Sequence, residues 1–252
     1  MIRGRMRRLL CWIFVCIAQT AVAYKSVRQF SHPIQVLLLR YAGSVPPERD
    51  LVTAAKQGTG AAVAVEDLLR SPDAQESWSG AIVALGVIGG PRHFLDISEK
   101  LARFMNTRDR FGCPSATCEP LAIGEMTRYW DRQARLVVPL SLGYLMRHVA
   151  EGEPSPPPEV ALALSAIITR LTVIGKASSS ESLIPACVTS LAPQESQESC
   201  NIELQMNAVH GLQRSHVLNG IEGLREIAEH GQNPLVAREA EMVLAHTHHS
   251  PK

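Results

Sequence analysis

The chain has 252 residues, with 25 lysines and arginines against 24 aspartates and glutamates, and its formal net charge is +1. This length can form one sizeable domain or one short array of repeats. Hydrophobic residues make up 46% of the chain and aromatic residues 5%, which favours small-residue helix packing over a β-sandwich. A nucleic-acid-binding protein would carry a basic stripe, and the balanced charge argues against that class.

The first 23 residues have the pattern of a secretory signal peptide. A basic region without acidic residues precedes an apolar run over 9–18, and Ala21-Val22-Ala23 has the small-x-small pattern of a cleavage site. The basic residues are Arg3, Arg5, Arg7 and Arg8. Cleavage before Tyr24 would remove four of the 25 basic residues, leaving 21 against 24 acidic ones and a net charge of −3.

Two other interpretations of this segment fit less well. An uncleaved anchor needs about 20 apolar residues to span the bilayer core, and the apolar run here is shorter. A lipidated cysteine needs a small residue before it, and neither Cys11 nor Cys16 has one. We therefore expect an extracytoplasmic protein, periplasmic or fully secreted, with no stable membrane span after signal cleavage.

Residues 24–75 are predicted to form an N-terminal helical segment. Apolar runs predict helices over 32–42, 48–56 and 61–69, and Gly58-Thr59-Gly60 joins the last two. This Gly-x-Gly follows a helix rather than a strand and lacks a third glycine. It therefore predicts a turn and not a nucleotide site.

The rest of the chain is organised around a predicted pair of short helices over 78–104. Ile82, Leu85 and Ile88 form an apolar stripe on the first helix. Gly89 is expected to end that helix in the left-handed conformation, which glycine adopts without steric cost. One helix pair cannot bury both of its apolar stripes, so the pattern predicts further copies beside it.

The helical periodicity fails between residues 106 and 131, a stretch longer than an ordinary connection between helices. We predict an insertion there. Helical pattern returns over 132–149, where Pro139 is expected to kink or split the helix. Residues 153–158 form a proline-rich connector, and the last helix is predicted over 235–246.

A short motif recurs along the chain. Leu85-Gly86-Val87-Ile88-Gly89 returns 86 residues later as Leu171-Thr172-Val173-Ile174-Gly175, and a third copy begins at Ala208. The period of about 43 residues is typical of HEAT and armadillo arrays. With its A-x-x-A-L-G-x-I-G helix and following L/I-P-x-L helix, the pattern resembles the HEAT-like repeats of bacterial proteins over roughly 77–246.

The resemblance implies an all-α fold, a short α-solenoid of antiparallel helix pairs in a HEAT/armadillo-like superhelix. The repeat array would occupy 76–252, with the insertion at 106–131. A non-repetitive all-α domain, in which alanine and leucine bias produces the similar motifs, is the alternative.

The mature chain would keep four cysteines, and an even number in an oxidising compartment predicts disulfides. Three pairings are possible, and proximity in sequence favours Cys113–Cys118 and Cys187–Cys200. A metal site is the alternative. The spacing of the first pair is not that of a zinc knuckle, and no Cys-x-x-Cys follows.

The sequence offers no catalytic constellation, no cofactor motif and no metal site that we would predict. It contains neither Gly-x-Ser-x-Gly nor His-Glu-x-x-His. Trp130-Asp131-Arg132 combines an aromatic ring with a carboxylate and a guanidinium, as in recognition sites. The same trio also fits an aromatic anchor that seats the insertion on the array.

These patterns predict an exported, non-catalytic protein-interaction or scaffolding module, since solenoids present extended binding surfaces. The expected partner is another protein or peptide of the cell envelope and not a nucleic acid. Insertions often carry the binding face, and arginine and aromatic residues dominate binding hot spots. The candidate partner-binding residues are Arg108, Arg110, Arg128, Tyr129 and Trp130. Alternatively, the segment patches an irregular repeat.

The alternative function is an enzyme with a lyase-like or hydrolase-like site on the same scaffold. The HEAT-like fold resembles that of bilin lyases and alkylpurine DNA glycosylases, but their substrates are cytoplasmic and do not suit an exported chain. A buried carboxylate in a deep aromatic-lined cleft would favour the enzyme. A shallow polar groove would favour the binding module.

Overall fold

The computed structural model describes residues 30–89, 133–134, 136–152, 158–178 and 197–247. Within these ranges all regular structure is helical, so the all-α prediction is confirmed for this part of the chain. A 3₁₀-helix covers Pro72–Ser77. The α-helices are α1 Pro33–Arg40, α2 Glu48–Lys56, α3 Ala61–Arg70, α4 Trp78–Ile88, α5 Val138–Gly152, α6 Pro158–Lys176, α7 Gln197–Ser215, α8 Leu218–His230 and α9 Pro234–Thr247.

The three helices predicted in the N-terminal segment are all present, with ends that differ from the prediction by two residues at most. The His32 side chain caps α1 by accepting a hydrogen bond from the backbone of Ile34 at 3.2 Å. Gln35 donates to the Ala64 carbonyl at 2.8 Å and ties α1 to α3. The predicted turn between α2 and α3 is confirmed, and Gly60 has a φ of 74° there.

Helix α4 is buried on every side, because it packs against α2, α3 and α5. Each residue from 79 to 87 is buried. The sequence predicted one buried apolar stripe on this helix, so the helix is more buried than predicted. The predicted left-handed end at Gly89 is wrong. Gly89 has φ −77° and ψ 173°, because the chain leaves α4 in an extended conformation that any residue adopts.

Pro139 lies in the first turn of α5, directly after a turn at Val137. The predicted break at this proline is confirmed as a split, because helical residues at 133–134 and at 136 precede the turn. Proline is tolerated in the first turn because no partner inside the helix would accept its N–H.

Three glycines lie where helices touch, and we call them the motif glycines: Gly86 and Gly211 from the repeated motif, and Gly143 from the similar segment Leu142-Gly143-Tyr144-Leu145. A Cβ atom at Gly143 on α5 would overlap the Gly211 carbonyl of α7, and one at Gly86 on α4 would lie 2.6 Å from the Ser141 carbonyl of α5. The backbones of α4, α5 and α7 are therefore in direct contact at small residues. Ser141 adds a hydrogen bond to the Ile82 carbonyl at 2.6 Å.

One hydrophobic core, from Phe30 to Val243, runs through all nine described α-helices and joins the N-terminal helices to the later ones. No helix in the described ranges is both long enough and apolar enough to cross a membrane. Three predicted segments lie outside the described residues. They are the signal peptide at 1–23, the second helix of the pair predicted over 78–104, and the insertion at 106–131.

Candidate functional site

Most of the residues that the sequence singled out lie outside the described ranges. They are Arg108, Arg110, Cys113, Cys118, Arg128, Tyr129, Trp130 and Cys187. Cys200 is described: it lies buried on α7 and is disulfide-bonded. Its partner cysteine is outside the described ranges, so the Cys187–Cys200 pairing stays a prediction.

The described residues form an open groove of about 400 Å³ between α6 and α8. Ile168 and Thr172 form its buried floor on the α6 side. Gly223 is the closest point on α8, where an added Cβ would lie 2.5 Å from the Thr172 hydroxyl oxygen. The α6–α8 groove thus opens where the two helices diverge from a close contact.

The walls of the α6–α8 groove are rich in hydrogen-bond acceptors. Thr169 and Thr172 donate their hydroxyl protons to carbonyls of their own helix, at 3.0 and 2.9 Å, which leaves their oxygen lone pairs as acceptors. Glu222 adds a carboxylate. Lys176, the one cation among the described lining residues, is paired with Glu226 at 3.1 Å.

Three exposed apolar residues are groove-lining residues or lie within three positions of one in the chain. Val173 lines the groove and is 58% exposed. Leu162 lies one turn before the lining residue Ser165 on α6, and Leu218 precedes the lining residue Asn219 on α8; both are 73% exposed. Clustered exposed apolar residues mark interaction surfaces more often than single ones do.

A second polar site joins three helices, and we call it the arginine–tyrosine cluster: Glu48, Tyr144, Arg147 and Arg214. Arg147 donates to one Glu48 oxygen at 2.8 Å, and Arg214 approaches the other at 3.7 Å. Both guanidinium carbons lie over the Tyr144 ring, 5.4 and 5.5 Å from its centre. These distances suit cation–π attraction.

The charges of the arginine–tyrosine cluster shift two pKa values. Burial alone would raise the pKa of the Glu48 carboxyl, but hydrogen bonding and charge from Arg147, together with the Arg214 charge, outweigh it and lower the pKa. Burial raises the pKa of Tyr144, and the negative charge of Glu48 adds to that effect against the two arginines. Glu48 is therefore held ionised and Tyr144 neutral.

The sequence did not point to the arginine–tyrosine cluster or to the α6–α8 groove. Tyr144 and Arg147 are three residues apart, which places them on one face of a predicted helix. This spacing was the only feature of the sequence that pointed to the arginine–tyrosine cluster. Glu48 lies 99 positions before Arg147, and no local pattern relates them. The groove requires that α6 lie beside α8, which periodicity does not predict.

Within the described ranges, no group of three histidine, cysteine, aspartate or glutamate side chains is placed to hold a metal ion. Comparison of the chain with protein-family models, curated proteins and solved structures gives no match.

Proposed function

We propose that this chain is an exported protein-interaction module that binds a segment of an envelope protein in the α6–α8 groove. The observation that carries the proposal is the concentration of exposed apolar side chains around one open groove. Val173 lines the groove, and Leu162 and Leu218 lie within three positions of the lining residues Ser165 and Asn219; the three make up half of the large, well-exposed hydrophobic residues in the described ranges. Such a patch stabilises a complex when a partner covers it.

The chemistry of the groove selects the kind of segment. Its lining holds the acceptor oxygens of Thr169 and Thr172, whereas the Lys176 ammonium is engaged by Glu226. Within the described ranges, no hydrogen bond or ion pair engages the Glu222 carboxylate. A partner segment that carries one lysine or arginine beside apolar side chains complements both properties.

We further propose that the helices stack as antiparallel pairs of a short right-handed α-solenoid. This arrangement is supported by the motif glycines, since Gly86, Gly143 and Gly211 all lie at helix contacts. The non-catalytic role is supported by the open form of the groove and by the polar residues among its described lining. Export is tested by mass spectrometry of the mature protein: we expect Tyr24 as the first residue, and an intact Met1 would contradict export.

The binding proposal is tested by a pair of matched variants. Val173 on α6 and Val63 on α3 are both 58% exposed, so the charged end of a lysine reaches solvent at either position. The mature protein, V173K and V63K are each used to capture partners from the envelope fraction. Captured proteins are then quantified by mass spectrometry.

We expect the wild-type protein and V63K to capture the same protein and V173K to lose it, because the lysine of V173K replaces an apolar contact and repels the positive charge of the partner segment. Circular dichroism should show the same helix content for all three. If V173K captures the partner as well as V63K does, the α6–α8 groove is not the binding surface.

A further inference from the structure

We propose that Arg214, held against Tyr144 where α2, α5 and α7 meet, is the anchoring point for a carboxylate of an acidic partner segment. This is a second interaction surface, of opposite charge preference to the α6–α8 groove. It does not depend on the binding function proposed for that groove.

The first argument is an imbalance of charge. Two guanidinium groups face one carboxylate in the arginine–tyrosine cluster, so one positive charge is in excess. Arg147 takes the short contact to Glu48 and is 17% exposed, whereas Arg214 stands 3.7 Å away and is 44% exposed. No other described carboxylate lies within 4 Å of Arg214. Most of its N–H donors therefore remain available to a ligand.

The second argument is preorganisation. The Arg214 guanidinium lies over the ring of Tyr144, which is 5% exposed and fixed by the core. A long side chain normally loses rotamer freedom when a partner binds it. Contact with a fixed ring has already restricted Arg214, so less entropy is lost on binding. Arginine placed in this way is typical of interface hot spots.

The third argument is the match in charge and shape. A carboxylate carries one negative charge and accepts two parallel N–H bonds from a guanidinium. It therefore neutralises the single excess charge. A phosphate dianion would exceed that charge, and the ionised Glu48 would repel it about twice as strongly as it repels a carboxylate at the same distance.

The test uses an end-capped hexaglutamate peptide and the mature protein at low salt. Arginine Nε–Hε resonances are followed by NMR, with a hexaglutamine peptide and inorganic phosphate as comparison ligands. We expect hexaglutamate to shift the Arg214 resonance. Affinity should fall about tenfold in R214Q, as for the loss of one charged contact. The matched control R225Q, an exposed arginine on α8 outside the cluster, should bind like the wild-type protein.

An Arg214 resonance of the wild-type protein that does not move up to millimolar hexaglutamate would overturn the proposal, whatever the stability of the variants. An equal response to hexaglutamine would also overturn it. A response to phosphate as strong as that to hexaglutamate would contradict the choice of a carboxylate.

Discussion

The Arg147 guanidinium donates a hydrogen bond to the Glu48 carboxylate at 2.8 Å and joins residues 99 positions apart in the chain. Glu48 is the first residue of α2, where a negative charge is favoured by the helix dipole. The contact therefore anchors the start of α2 on α5. It also makes the stability of the fold depend on the ionisation of one carboxyl group.

This contact predicts a loss of stability in acid. Because the pKa of Glu48 is lower in the folded chain than its ordinary value, its contribution is fully present above about pH 4.3, the usual pKa of a glutamate. The contribution is lost as the pH falls from there through the folded-state pKa. We expect E48Q to be less stable than wild type at pH 7 and to approach it at pH 3, measured by urea unfolding. A gap between the two proteins that stays constant from pH 7 to pH 3 would contradict this.

The contact between α5 and α7 predicts a large penalty for a methyl group at Gly143. The added Cβ would overlap the backbone carbonyl of Gly211, which no side-chain rotation can relieve. We expect G143A to lose about 3 kcal/mol or more of unfolding free energy in denaturant titration. The comparison is G60A, which has open space around it but a φ of 74°, and which should cost about 1–2 kcal/mol. A G143A variant as stable as wild type would show that the helices lie further apart.

The hydrogen bonds of the buried Asn233 side chain predict that N233A and N233S lower the stability of the fold by different amounts. Its side-chain oxygen caps α9 by accepting from Leu235 at 3.0 Å, and its amide donates to Gln205 at 3.3 Å. Gln205 in turn donates to the Ala177 carbonyl. We expect N233A to lose both the cap and the donor, about 2 kcal/mol in all. N233S should recover about 1 kcal/mol of this in thermal and urea unfolding, because serine also caps helices. Equal stability of the two variants would rule out the capping role.

The disulfide at Cys200 predicts which two peptides stay linked after proteolysis. If its partner is Cys187, the bridge closes a loop of about a dozen residues and contributes about 2–3 kcal/mol. Proteolysis without reductant should release a Cys187 peptide joined to a Cys200 peptide, detected by mass spectrometry. A Cys200 peptide joined to Cys113 or Cys118, or a Cys187 that alkylates without reduction, would contradict the pairing.

Many helix positions in this chain could be predicted from residues at or near the ends of each helix. Helix α2 begins after Pro46-Pro47 and ends before Gly58, and both signals act within a few residues of the helix. The burial of α4 was underestimated because Ser79, Gly80 and Gly86 are not apolar. They are buried where other helices approach closely, and that approach depends on residues far along the chain.

The interaction surfaces could not be predicted in the same way. Each depends on which helices become neighbours: α6 beside α8 for the groove, and α2 beside α5 and α7 for the arginine–tyrosine cluster. Arg214 was not singled out because a charged residue in the last turn of a helix is ordinarily a solvated one. Arg214 is distinguished by its position over Tyr144 combined with its exposure, since Arg147 lies over the same ring but is 17% exposed against 44% for Arg214.

Site-specific photocrosslinking tests the central proposal, binding in the α6–α8 groove, most directly. A photoreactive benzoylphenylalanine is placed at Thr169 on α6, at Asn219 on α8 or, as a control, at the exposed Thr53 on α2. Each protein is irradiated in the native envelope. We expect positions 169 and 219 to join the same partner, V173K to abolish both adducts and position 53 to give none. Absence of any adduct at 169 and 219, or the same adduct at 53, would contradict the assignment of binding to this groove.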